Sequence, residues 1–219
     1  MKQKRLIVGC ESSQVASMAF YKLGWKVTSV DLLPSDQPDS GIEHITGDIF
    51  EYLDSITKHE KIDLLLAFPP CTNLTSANAH QLRPKGWQEK TSSDHSGVRS
   101  GSVMERDLEI VRRLMFDYPM IEKRAIENPS GVIGTRLPMP DGTFGLKASQ
   151  FIQPYNYGHG WCKRTGLWLF GLPLLQSTNP VDGRSNWLQN LPPTPDRWKI
   201  RSKLCQGFAD AMATQWTNL

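Results

Sequence analysis

Short apolar runs alternate along the chain with stretches whose apolar residues recur every three or four positions. Arg5-Leu6-Ile7-Val8-Gly9 is a run that stops at glycine, as a strand buried on both faces would. Val15, Met18, Ala19 and Leu23 then fall at helical spacing, with Ser12 or Ser13 placed to cap that helix and Gly24 to end it. Trp25 to Val30 reads as a second strand closed by Asp31, and a polar, proline-rich loop follows from Pro34 to Gly41. Glu43 to Thr46 predicts a third strand, and Gly47-Asp48 introduces a helix from Ile49 to about Ile56. The most apolar run, Ile62 to Phe68, halts at Pro69-Pro70-Cys71. The spacing then predicts an amphipathic helix over Met104–Met115, strands at Arg124–Pro129 and Trp168–Pro173, and a closing helix over Leu204–Trp216.

Strand and helix alternate in this way only when each strand is followed by a crossover, which implies an open, mostly parallel α/β sheet with helices on both faces. Ligands of such sheets lie beyond the carboxyl ends of the strands. Those ends carry Gly9-Cys10-Glu11, Asp31, Gly47-Asp48, Pro69-Pro70-Cys71 and Glu127-Asn128-Pro129. No internal repeat or strong linker divides the chain, so one catalytic domain over 1–219 is expected. The composition turns polar from Thr72 to Ser102, and a stretch of that length is expected to be a mobile functional loop.

With 219 residues, 39 % hydrophobic and 21 % charged, the chain can bury a full core, and extensive disorder is excluded. Its apolar runs are too short to span a bilayer or to form a secretory signal, so a cytoplasmic location without membrane contact is expected. The net charge of +3 is too small to mark a nucleic-acid binder by itself. It is unevenly spread, however: residues 163–219 hold 7 basic side chains against 3 acidic ones, the reverse of residues 1–60 with 6 and 9. Cys10, Cys71, Cys162 and Cys205 form no metal-ligand spacing with one another or with histidines, so no metal is expected.

Asp31, at the end of the second strand, is placed to accept hydrogen bonds from a ribose diol, and Asp48 from an amino group of a base. From spacing alone both serve equally well as loop and cap residues. The first turn lacks the glycine spacing of a pyrophosphate site. In Pro69-Pro70-Cys71 two prolines fix the backbone just past a buried strand, which suits a rigidly held thiol nucleophile and equally a buried structural cysteine. Glu127, at another strand end, reads by itself as a surface glutamate at a strand terminus, and in a crevice it is a carboxyl group that desolvation can turn into a proton donor.

Phe68-Pro69-Pro70-Cys71-Thr72, Ile126-Glu127-Asn128-Pro129 and Tyr157-Gly158 followed by Lys163-Arg164-Thr165 resemble, in this order, the cytosine-5 DNA methyltransferase family. Cys10-Glu11-Ser12-Ser13, Asp31-Leu32-Leu33-Pro34-Ser35, Pro192-Pro193-Thr194-Pro195-Asp196-Arg197-Trp198 and Ala211-Met212-Ala213 resemble a compact phage and prophage branch of it. The resemblance extends over nearly the whole chain. It implies a Rossmann-like methyltransferase fold with S-adenosylmethionine held by Gly9, Cys10, Glu11, Ser12, Asp31, Leu32, Asp48, Ile49, Phe68 and Pro69. It implies further that Cys71 attacks C6 of cytosine, that Glu127 engages N3, and that Arg164 contacts the pyrimidine carbonyl or a phosphate. Asn73, Thr75, Asn78, Lys163 and Arg164 become the expected nucleic-acid contacts.

Two departures stand out. The family's Gln-x-Arg-x-Arg reads Cys162-Lys163-Arg164-Thr165-Gly166 here. Only a short connector, Gln176 to about Leu191, occupies the place of the family's target-recognition region, which implies relaxed or very short sequence specificity and leaves room for a protein partner to supply it. The same chemistry on RNA or a free deoxycytidine nucleotide, or a non-catalytic nucleic-acid-binding role, are the alternatives. A phage-encoded chain would work in the host cytoplasm.

Overall fold

The structure is a computed structural model that describes residues 3–75 and 101–218, with the backbone alone for Gly101 and Ser102. Seven strands form one sheet: β1 (Arg5–Gly9), β2 (Lys26–Asp31), β3 (Glu43–Thr46), β4 (Leu64–Ala67), β5 (Arg124–Pro129), β6 (Gln150–Ile152) and β7 (Thr165–Phe170). Their order is β3-β2-β1-β4-β5-β7-β6. β1 to β5 run parallel where they pair, and β7 runs antiparallel to both β5 and β6. Six α-helices are described: α1 (Val15–Tyr21), α2 (Ile49–Ile56), α3 (Gly101–Phe116), α4 (Ile133–Arg136), α5 (Arg197–Ser202) and α6 (Gln206–Trp216). The expected Rossmann-like class, an open and mostly parallel sheet with helices on both faces, is the observed one.

Alternation along the strands divides the core in two, because successive side chains point to opposite faces. Leu6 and Val8 of β1, Val27 of β2 and Leu64 and Leu66 of β4 pack with α1 and α6, around Phe20 and Trp216. Ile7, Val30, Leu65, Ala67 and Ile126 point the other way and meet Phe50 and Leu53 of α2 and Leu108, Val111 and Leu114 of α3. Each of these fully buried aliphatic side chains contributes roughly 1.5–3 kcal/mol by leaving water. The near-continuous apolar runs of β1 and β4 follow from their being covered on both faces.

Several elements differ from the pattern reading. α3 begins at Gly101, three residues before the expected start, and the final helix begins at Gln206, two after it. The late strand begins at Thr165 and ends at Phe170, so the expected Gly171-Leu172-Pro173 lies outside it. β6, α4 and α5 are short and give no periodic signal. The expected serine cap on α1 is absent. Gln14, at the cap position, has φ 55°, and no side chain of its own caps the helix. Glu11 does this instead: one carboxylate oxygen accepts from Ala16 N at 2.6 Å, and the other accepts from Ser17 N at 3.1 Å and the Ser17 hydroxyl at 2.7 Å. Left-handed backbone at Cys10 and Gln14 turns the chain so that the Glu11 side chain lies under the helix start. No helix among the described residues is long and apolar enough to cross a membrane.

Candidate active site

The strand order reverses direction between β1 and β4, and a crevice opens beyond carboxyl ends at such a switch point. Gly9 and Cys10 leave β1 on one side of it, and Phe68 and Pro69 leave β4 on the other, joined by Phe68 N donating to Gly9 O at 3.0 Å. Gly9 sits so close to α2 that a Cβ there would stand 3.0 Å from Ile49 Cγ1, so the turn is seated directly on the helix start. The Cys10 thiol is pushed up to about 12 by burial and by the charges of Asp31 and Asp48, which makes it a poor nucleophile and places those two carboxylates beside it.

The expected cofactor residues gather around this crevice but divide by function. Glu11 is committed to α1, and burial lifts its carboxyl to about 7. Asp48 caps α2, accepting from Phe50 N at 2.7 Å, and Ile49 is buried against Gly9. Asp31 is only half-buried. One of its oxygens accepts from Ser12 N at 3.1 Å and the other from Leu33 N at 2.9 Å. A carboxylate offers about four lone-pair sites, and backbone donors of Ser12, Leu33 and Leu32 act on this one, leaving acceptor capacity on a half-buried group. Beside it the apolar Leu32 is 76 % exposed, which suits the face of a heterocycle. An acceptor beside an exposed apolar side chain is a chemistry that fits the nucleoside end of S-adenosylmethionine.

Cys71 is held by the chain on both sides of it. Its carbonyl accepts from Leu74 N at 3.0 Å and Thr75 N at 3.1 Å, closing a tight turn. That turn docks on the segment after β5: Val132 N donates to Leu74 O at 2.9 Å, and Thr75 bridges Gly131. Asn128, fully buried, donates from Nδ2 to Pro69 O at 3.1 Å and ties the end of β5 to the two prolines. The fit at Gly131 leaves no room for a side chain, since a Cβ would stand 1.7 Å from Leu74 O. Gly131→Ala is therefore expected to push the Cys71 turn off β5, costing about 2–4 kcal/mol of stability with a larger loss of activity. Thermal melting and turnover measured on one preparation check this, and unchanged values for both would contradict the docking.

Glu127 occupies the end of β5 beside this turn. Burial raises its carboxyl above the usual range, against the opposing pull of the Lys163 ammonium and the Thr165 hydroxyl. Its Oε1 is buried with no hydrogen-bond partner, an arrangement that costs free energy unless something else fills it. Glu127, Lys163 and Thr165 line one side of a pocket whose other walls include Tyr157, Trp161 and Phe208. The Cys71 thiol is likewise raised, first by burial and then by the Glu127 charge, while Lys163 and Arg201 pull it down.

Arg164, expected at the pyrimidine carbonyl or a phosphate, lies outside the pocket lining. It is exposed, its guanidinium lies 3.5 Å over the Phe151 ring, and Nη1 donates to the Ser130 hydroxyl at 2.9 Å. Strand-like alternation puts Lys163 and Thr165 on one face and Arg164 on the other, so Lys163 is the cation facing Glu127. Asn73, expected at the nucleic acid, is instead buried, its amide donating to Asp107 of α3 at 2.7 Å. Thr75 lies in the docked turn, and Asn78 lies outside the described residues. Thr165 and Arg201 belong to the site without having been foreseen. The alternation from Lys163 to Thr165 is the signal that could have found Thr165. Among the described residues no group of histidines, cysteines or carboxylates could hold a metal.

The sequence matches no known family profile and no curated protein. Among solved structures, a DNMT2 E260A/E261A/K263A mutant from Spodoptera frugiperda is similar at 14 % identity and TM-score 0.45, over 84 % of this chain and 56 % of that one. The methyltransferase EhMeth from Entamoeba histolytica is similar at 11 % identity and TM-score 0.47, over 89 % of this chain and 61 % of that one. The chain thus spans less than two thirds of either relative's length. Identities this low bear on the fold alone, and the reading of the site rests on this chain's own geometry.

Proposed function

We propose that the protein is an S-adenosylmethionine-dependent methyltransferase acting on C5 of cytosine in DNA, with relaxed or very short sequence preference. One observation carries this reading. A rigidly held thiol in the turn after β4 lies within reach of the charge of a buried carboxyl group on the neighbouring parallel strand β5, and that carboxyl group, with an unpartnered oxygen, lines a pocket with aromatic walls. A pyrimidine is the kind of planar ring whose chemistry uses both groups at once.

Asp31 and Leu32 hold the nucleoside part of the cofactor at the end of β2, and S-adenosylmethionine, when bound, supplies the methyl group. Glu127, whose carboxyl burial raises above the usual range, gives N3 of cytosine a hydrogen bond or proton through Oε1 and draws charge out of the ring. The Cys71 thiolate adds to C6, which makes C5 nucleophilic enough to take the methyl group. A base then removes the C5 proton, the C5–C6 double bond re-forms, and the thiolate leaves. Lys163 lowers the Cys71 thiol while holding positive charge beside Glu127, so one cation serves both groups.

The test is transfer of labelled methyl from S-adenosylmethionine to cytosine-containing duplex DNA, followed by bisulfite sequencing of the product. The expected result is 5-methylcytosine at sites defined by at most a few bases. Transfer to RNA or free deoxycytidine nucleotide alone would replace DNA as the substrate. No transfer to any of the three would overturn the enzymatic reading.

A further inference from the structure

We propose that α5 and the residues beside it form a docking surface for the phosphate backbone of duplex DNA, standing in for a recognition domain. This deepens the function proposed above by naming what holds the substrate. The stretch from Arg184 to Lys203 carries five basic side chains and one acidic one, a far denser positive charge than the chain average. Four of the five fall within seven residues, at Arg197, Lys199, Arg201 and Lys203. Between them stand Trp198 and Ile200, 48 % and 44 % exposed. In the helix Arg197 and Arg201, four residues apart, share one side, and Lys203 follows at its end, with the exposed Trp198 and Ile200 flanking them. On duplex DNA the cations suit phosphates and the apolar side chains suit deoxyribose.

α5 buries none of its residues, so the core does not explain it. A six-residue helix is too short to be stable alone in water. Among its contacts, Lys199 pairs with Asp36 at 2.7 Å, and Arg197 Nη2 donates to Gln189 O at 2.8 Å. Exposed ion pairs contribute at most about 1 kcal/mol, so these contacts position the helix more than they stabilise the fold.

That position is the telling feature. Asp36 belongs to the loop after β2, and its backbone N–H donates to Ser12 O at the turn after β1. At the other end, the charge of Arg201 reaches the Cys71 thiol. Gln189, which accepts from Arg197, itself donates to Cys162 O, next to Lys163. α5 therefore lies at the carboxyl side of the sheet, tied at one end to the loop after β2 near Asp31 and at the other within reach of the Cys71 thiol. Phosphates held there would flank a base presented to Cys71. A protein partner is the weaker fit, because the segment offers two exposed apolar side chains among four cations, and interface cores are depleted in charge.

The experiment is fluorescence anisotropy with labelled 20-base-pair duplex DNA, titrated at several salt concentrations. It compares the unaltered chain with Arg201→Gln/Lys203→Gln, with Trp198→Ala, and with Lys26→Gln, whose residue is exposed at the amino edge of β2. The double variant is expected to bind roughly 10- to 100-fold more weakly whatever the sequence, and to lower the salt slope by about 1.8, two phosphate contacts at about 0.9 each. Trp198→Ala should weaken binding with little change in slope, and Lys26→Gln should bind unchanged. Equal affinity and slope in the double variant, or an equal loss in Lys26→Gln, would overturn the surface, as would binding confined to RNA of the same sequence. The two proposals fail separately: DNA binding that depends on Arg201 and Lys203 without methyl transfer sinks the enzymatic reading alone, while transfer with unaltered binding in the double variant sinks the surface alone.

Discussion

Replacing Cys71 with serine is expected to abolish methyl transfer, with a rate loss of at least about 10³-fold, the scale seen when a covalent nucleophile is removed. Burial and the Glu127 charge raise the thiol, while Lys163 and Arg201 pull against them. A serine hydroxyl, far less acidic than a thiol, would not ionise under the same balance. Stability should change by less than about 1 kcal/mol, because the side chain is only half-buried and the turn around it is held by backbone contacts. The discriminating readout is a covalent complex with DNA containing 5-fluorocytosine in the presence of cofactor. Fluorine at C5 cannot leave as a proton does, so the thioether at C6 persists through denaturation. The unaltered chain should give this complex and Cys71→Ser should not; a complex that survives the substitution would remove Cys71 from its role.

The framework of the fold was legible because a buried parallel strand writes a continuous apolar run. β1 and β5 coincide with their runs, and β3 and α2 lie where expected. Ends were less legible: the apolar run from Ile62 to Phe68 yields only Leu64–Ala67 as strand, since apolar character reports burial and not ladder pairing. Capping was misread at α1, where two left-handed residues let Glu11 reach the helix start over the nearer serines. Local sequence carries no sign of such a turn when neither residue is glycine.

The candidate site divides along the same line. Cys71 and Glu127 stand out in the sequence because each lies beside a proline stop at the carboxyl side of an apolar run. Asn73 and Arg164 are expected at the substrate by resemblance alone; the structure gives Asn73 a buried partner in Asp107 and lays Arg164 over Phe151, contacts that no local pattern announces. Lys163 and Thr165 come to the pocket because alternation, and not the identity of the motif residue, decides which side chain faces Glu127. α5 gave no sequence signal of its own, having no buried residue and hence no periodicity to detect.

Glu127→Gln is expected to separate rate from stability, and to do so in a pH-dependent way. Glutamine keeps the shape and can still donate a hydrogen bond to N3, but it cannot transfer a proton. Transfer should fall by roughly 10²–10³-fold. Stability should move in the opposite direction. An unfolded glutamate ionises near 4.5, and burial raises the folded value above that. The fold therefore favours the protonated form; that favourable contribution is complete below about pH 4.5 and is lost as pH rises through the folded value. At neutral and alkaline pH the chain bears the cost of a desolvated charge that glutamine does not impose. Urea unfolding should find Glu127→Gln as stable as the unaltered chain or more so at pH 8, with the advantage shrinking towards pH 5. A variant that loses stability and rate in equal measure at both pH values would make Glu127 a structural residue, held for the Thr165 hydroxyl and the Lys163 ammonium beside it. A variant that keeps full rate would move proton donation to another group. The unpartnered Oε1 argues against both outcomes: a carboxylate kept for structure would have found a donor for each oxygen, whereas one kept for a substrate leaves an oxygen waiting.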